Sequence, residues 1–224
     1  MRVRRLFLYL PSNNTKKRKG DGGLTPGILS LIVWICFFIL LASGWRPVVL
    51  KHASWQWIIG LGVSWILLNR FSVTIAVIGK VNTAWLLWCL AAMLLLLSQF
   101  IRLRGFVLLG HIGLVAAAWL WLELLKWSSI ALLRQFSKEW IIAAIISLIV
   151  LAVSRRWTYQ WIVLTLGLAL GDLFVQVKSG MSHELGSAGL QDVWWVSFLS
   201  VRMVTAALQW TKGRWRGTKW KRAD

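Results

Sequence analysis

A chain of 224 residues with 58% apolar content and mean hydropathy +0.67 would expose large greasy patches as a water-soluble domain, so a bilayer is the expected solvent. The net charge of +19 does not point to nucleic acid. Its basic residues flank apolar runs, while the aromatics lie inside those runs, which makes anionic lipid headgroups the nearest partner.

Residues 1–25 form a basic, polar segment carrying Arg2, Arg4, Arg5, Lys16, Lys17, Arg18 and Lys19. Its one apolar run, Leu6 to Leu10, is too short for a signal-peptide core, so a disordered cytoplasmic tail held near anionic lipid is expected. The transmembrane domain is expected over 26–210. Its first span is Ile28 to Gly44, with Pro26 as a helix-start residue and Pro47 barring continuation. The stretch Trp55 to Gly79 is ambiguous. Asn69 and Arg70 interrupt it, and Phe71–Gly79 is short and β-branched.

Later spans are expected at Thr83–Ile101, Gly105–Trp127, Trp157–Val177 and Val193–Trp210, with a short one at Trp140–Val153. Trp119, Trp121 and Trp127 read as an aromatic belt. The tail 211–224 alternates Trp215 and Trp220 with basic residues, a pattern suited to the membrane surface. Cys36 and Cys89 both fall in spans and read as packing residues, too few for a disulfide framework or a metal site.

Basic residues near span ends favour the cytoplasmic side, which allows topologies to be compared. If Trp55–Gly79 enters and leaves on one face, six full spans put 17 basic residues inside and 8 outside. If it crosses, seven spans with the N-terminus inside give 13 against 12, which is no bias. The expectation is an all-α polytopic bundle of six spans plus a re-entrant or short segment, C-terminus cytoplasmic. Seven spans remain the alternative. A misassigned start would favour it: without residues 1–24, seven spans with an outside N-terminus give 12 inside and 6 outside, against 10 and 8 for six spans.

Ionisable groups inside spans cost roughly 2.5–3.5 kcal/mol each on insertion scales, so each needs a reason. Glu123, Asp172 and Arg202 are expected to meet in the outer half of the bilayer, either as a polar pocket or as a register-fixing ion pair. Glu123 also stands three residues before Lys126 and can pair locally. His111 reads as a core histidine. Gly167 and Gly171 have the GxxxG spacing of a close helix contact, with a looser stripe at Gly105, Gly110 and Gly113. Asp192 reads as a helix N-cap, with Trp194 and Trp195 as interface anchors. His183-Glu184 does not extend to HExxH, because Ser187 stands where the second histidine belongs, and no other catalytic or phosphate-binding motif is present. Neither a metal nor a cofactor is expected.

The succession Gly27-Ile28-Leu29-Ser30-Leu31, Ser43-Gly44-Trp45-Arg46-Pro47, Gly171-Asp172, and Leu190-Gln191-Asp192-Val193-Trp194-Trp195 with Arg202 resembles the YphA-type membrane proteins of Gram-positive, endospore-forming bacteria. The resemblance covers 25–210 and leaves the basic N-terminal segment outside. It implies a bacterial cytoplasmic membrane and draws interest to Asp172, Asp192 and Arg202, but implies no activity. The expected function is a non-enzymatic membrane component acting through a protein partner in the bilayer or a second copy of itself. The alternative is a transporter or channel subunit using Glu123, Asp172 and Arg202, with an intramembrane enzyme third.

Overall fold

Each long apolar run becomes a helix, because only intrahelical pairing satisfies the backbone of a segment with so few polar neighbours. The computed structural model describes residues 27–50, 54–75, 78–100, 105–125, 137–180 and 184–220. In chain order these form α1 (Ile28–Leu40), a π-helical turn (Leu41–Trp45), α2 (Arg46–Val49), α3 (Trp55–Leu68), β1 (Ser72–Ile75), β2 (Gly79–Asn82), α4 (Thr83–Phe100), α5 (Gly105–Leu124), α6 (Lys138–Val153), α7 (Trp157–Lys178) and α8 (Ala188–Trp220). Three of these stretches, Ile28–Trp45, Gly105–Leu124 and Trp157–Lys178, are long and apolar enough to cross a membrane. The expected tail at 1–25, and the candidate residues Pro26, Lys126, Trp127 and His183, lie outside the described residues.

Among the described residues the seven long helices alternate in direction. Bonds between their ends define two poles, here called the Asp192 end and the Arg202 end. At the Asp192 end the start of α1 meets α8, the end of α3 meets the start of α4, and Glu123 near the end of α5 pairs with Lys138 at the start of α6. At the Arg202 end α8 meets Val49, and Gln160 of α7 meets Ser154 just past α6.

The stretch Trp55–Gly79 divides into a helix and the strands that follow it. Trp55 meets Phe38 edge to face and lies under Arg46, at the far end of α1. Trp65 instead reaches Gln191 near the start of α8. Thus α3 runs from one pole to the other, and Asn69 closes it rather than interrupting it. The β-branched residues after Phe71 form an antiparallel hairpin, Val73 opposite Val81 and Thr74 opposite Lys80, which sits at the Asp192 end. A side-chain carbonyl then starts the next helix: Asn82 Oδ1 accepts from the backbone N–H groups of Ala84 and Trp85 at 3.0 and 3.2 Å, an N-cap.

Burial decides which helix is central. Over the span window of α7, 61% of residues are buried, against 17% for α1. The most extensive helix contact is α5 with α7, and glycines permit it. A Cβ built on Gly167 would lie 2.7 Å from Val115 Cβ, and one on Gly171 would lie 2.8 Å from Trp119 Cδ1 and 2.9 Å from the Ala116 carbonyl oxygen. The GxxxG pair therefore does sit at a close helix approach. Gly110 and Gly113 of the looser stripe do not: a Cβ on either meets nothing within 4 Å. Overpacking predicts that Gly167→Ala and Gly171→Ala each lose about 1–3 kcal/mol, while Gly110→Ala and Gly113→Ala are neutral or gain up to about 1 kcal/mol from helix propensity. Reversible unfolding in mixed micelles measures both pairs; equal effects would refute the contact.

Around α7 and α8 the core is aromatic. Trp88 lies 4.4 Å from Trp194 between ring centroids, Trp161 4.8 Å from Trp194, and Trp194 stacks on Phe198 at 5.1 Å. This corrects the anchor reading of Trp194 and Trp195, both of which are buried. The helix begins five residues before Val193, at Ala188, so the pair lies well inside it and faces the bundle. Trp119, expected in an aromatic belt, is likewise buried, whereas Trp121 is exposed. At its other end α8 continues without a break at residue 211; its 33 residues reach about 50 Å.

Candidate functional site

Asp192 lies in the second turn of α8, so its own helix does not need it as an N-cap. The carboxylate serves another helix instead. Oδ2 accepts from the Gly27 N–H at 2.9 Å and Oδ1 from the Ser30 N–H at 2.6 Å, while Ser30 Oγ donates to the Gly27 carbonyl. The first N–H groups of a helix have no intrahelical acceptor, and a buried carboxylate there meets both the free donors and the positive end of the dipole. The local-cap expectation for Asp192 is thereby corrected: it caps α1, 165 residues away in sequence.

Asp172, one residue after Gly171 on α7, is 1% exposed, and its Oδ2 accepts from the Gly186 N–H at 3.0 Å. Gly186 has φ +72°, and its carbonyl accepts from Gln191 Nε2 at 2.9 Å. The turn 184–187 is thus held through both backbone polar groups of one residue. Its neighbour Leu185 joins the edge of the hairpin, bonding Lys80 and Asn82 through the backbone at 2.9 Å each, and Lys80 pairs with Glu184 at 3.3 Å. Hairpin and turn together cap the Asp192 end.

Beneath this cap opens a polar cavity of about 320 Å³ lined by Glu123, Lys138, Glu139, Asp172, Trp119 and Ser187, among others. Glu123 pairs with Lys138 of α6, a partner across the bundle in place of the expected neighbour Lys126. So Glu123 and Asp172 do share a site, but Arg202 does not join it. Arg202 is buried near the opposite pole, donating from Nε to the Val49 carbonyl at 2.6 Å and from a terminal nitrogen to Gln160 Oε1 at 2.9 Å. Gln160 is twelve residues before Asp172 on α7, about 18 Å along the axis, which corrects the three-residue cluster. Gln160 completes that second network through Ser154 and Thr205.

Sequence reasoning missed Lys138, Gln191, Gln160 and Gly186. Gln160 was visible as a polar residue inside an apolar run, but nothing in the local sequence marks Gly186 or ties Lys138 to Glu123. Among the described residues no three His, Cys, Asp or Glu side chains gather closely enough to hold a metal ion. No protein-family model, curated protein or solved structure matches the chain. The fold defines a mostly helical protein with three helices long and apolar enough to cross a membrane among the described residues.

Proposed function

We propose that this is a seven-span protein of the bacterial cytoplasmic membrane, C-terminus cytoplasmic, acting as a non-enzymatic component through partners in the bilayer. One observation carries the reading: Asp192, Asp172 and Arg202 all hold parts of the backbone in place, at the start of α1, at the turn 184–187 and at the end of α2. The exposed side of α1, with Ile28, Leu31, Ile32, Ile35 and Ile39, supplies an apolar face for lipid or a protein partner. The resemblance to YphA-type proteins supports the host and the compartment.

The alternating helices support the orientation. From residue 25 onward, the loops and tail at the Arg202 end carry 12 basic residues and those at the Asp192 end 6. The seven basic residues of 1–24 fall outside the described residues. With Cys36 and Cys89 replaced, a single cysteine at Thr74 is expected to react with an impermeant reagent in intact cells, while one at Ser54 reacts only after permeabilisation. Labelling of both from outside would return Trp55–Gly79 to a re-entrant path and refute seven crossings.

The polar cavity favours a second reading, a small-solute or ion transporter subunit, since Glu123, Glu139, Lys138 and Asp172 line one space. Asp172→Asn separates the two. A positional role predicts a reduced folded yield with no solute- or proton-dependent flux lost per folded molecule. A transport role predicts normal yield with flux abolished.

A further inference from the structure

An edge strand turns the backbone N–H and C=O of every second residue away from its neighbour, a template for another strand. In the hairpin the Thr83 N–H donates to the Phe71 carbonyl at 3.0 Å. Such bonds recur at alternate residues, so Val73 and Ile75 bond across to β2, while Ser72 and Thr74 direct theirs outward. The far edge is covered: the Lys80 carbonyl and the Asn82 N–H, turned outward from β2, are both taken by Leu185. At the β1 edge no described residue pairs with the backbone of Ser72 or Thr74, and Ser72, Val73 and Thr74 are all exposed.

Open edges in proteins are ordinarily blunted by a charge, a proline or a bulge. This one has none of the three. Residues 71–78 contain no charged side chain and no proline, and the register of β1 with β2 is unbroken from Ser72 to Ile75. Val73, 47% exposed, stands opposite the buried Val81 and so shares its face of the sheet. The hairpin therefore lies across the Asp192 end with its apolar side toward the bundle.

We propose that β1 pairs antiparallel with β1 of a second copy of the chain, making a four-stranded sheet about a two-fold axis through Val73. Three features select a second copy. The register closes on itself: Ser72 and Thr74 of one copy exchange backbone bonds with Thr74 and Ser72 of the other, every outward group is met, and the two Val73 side chains face each other. No like charges are set opposite, since Lys80 lies one strand further out and pairs with Glu184 at 3.3 Å. Copies held in one bilayer also present this edge at one height with the same side down, as a two-fold axis along the membrane normal requires. That last feature rests on the membrane reading above. The edge is far smaller than the interface of a stable soluble dimer, so the pair belongs to the membrane, where copies are confined and aligned.

The test uses the full chain with Cys36 and Cys89 replaced, co-expressed with two different tags, and a membrane-permeant thiol oxidant applied to native membranes. Opposed residues of a non-hydrogen-bonded pair lie about 4.5 Å apart between Cα atoms, within disulfide range. Val73→Cys should therefore form a disulfide that joins the two tags. Ser72→Cys and Thr74→Cys would each lie about 7–8 Å from the same residue of the other copy, and should form none under the same exposure. Adding Thr74→Pro to Val73→Cys removes an outward N–H without touching the ladder to β2, and should abolish the link. If the proline disturbs the hairpin, Val73→Lys decides. It sets like charges directly opposite and should eliminate the energy transfer between donor- and acceptor-labelled copies in vesicles, with the elution profile of the folded protein unchanged. Equal links at all three positions, no link at Val73→Cys, a link from it to a different protein, or unchanged energy transfer in Val73→Lys would each overturn the pairing. The oxidant reaches the edge from either side of the membrane, so a failed topology experiment leaves this outcome readable, and carbonate extraction tests the membrane reading separately.

Discussion

Asp192→Ala is expected to destabilise the protein by about 2–4 kcal/mol, combining a lost helix cap with two lost bonds to a buried carboxylate. The site leaves little compensation. The Ser30 N–H loses its acceptor at a buried site and the Gly27 N–H at a part-buried one, and α1 is held by a small buried share of its surface. Asp192→Asn keeps one acceptor oxygen and should lose less than half as much. Cys36, exposed on α1, accepts a fluorophore once Cys89 is replaced, so the undocking of α1 can be followed during denaturation in mixed micelles. A loss below about 0.5 kcal/mol for Asp192→Ala, within the range of an ordinary surface change, would show that the carboxylate does not hold α1.

The second large effect is expected at Gly186. Alanine there takes on a left-handed backbone, at about 1–2 kcal/mol, and its Cβ would overlap the side chain of Trp85. Overpacking adds about 1–3 kcal/mol, and displacing the turn also disturbs the bonds to Asp172 and Gln191. Gly180 is the control, with φ +70° and nothing within 4 Å of an added Cβ. Gly180→Ala should show the backbone cost alone. Thermal stability by fluorescence-detected size exclusion separates the two, and equal losses would mean that the turn shifts off Trp85 freely.

How legible the molecule was in its sequence differs from element to element. The helix starts at Ile28, Thr83, Gly105 and Trp157 were readable, because each follows a polar or Gly/Pro-containing junction and opens a long apolar run. The path of Trp55–Gly79 was not. Basic-residue counting treats each loop independently of its neighbours, and it compares numbers of crossings without saying that a helix ending at Asn69 is followed by paired strands. Trp194 and Trp195 misled for a related reason. A tryptophan pair near the start of an apolar run has the composition of an interface belt, and only the earlier helix start at Ala188 places the pair inside the bundle.

The candidate site divides along the same line. That Glu123, Asp172 and Arg202 need partners follows from their positions in apolar runs, since an unpaired charge in such surroundings is costly whatever the fold. The close approach at Gly167 and Gly171 was likewise legible, because small-residue spacing is a property of one helix face. Which partner each charge takes was decided by tertiary structure alone. Asp192 caps a helix 165 residues distant, Glu123 chooses Lys138, and Arg202 turns to Val49 and Gln160 instead of Asp172. Local sequence determines what a side chain needs, through burial and charge. It does not determine which helix end is brought alongside, because that depends on packing every other helix in the bundle.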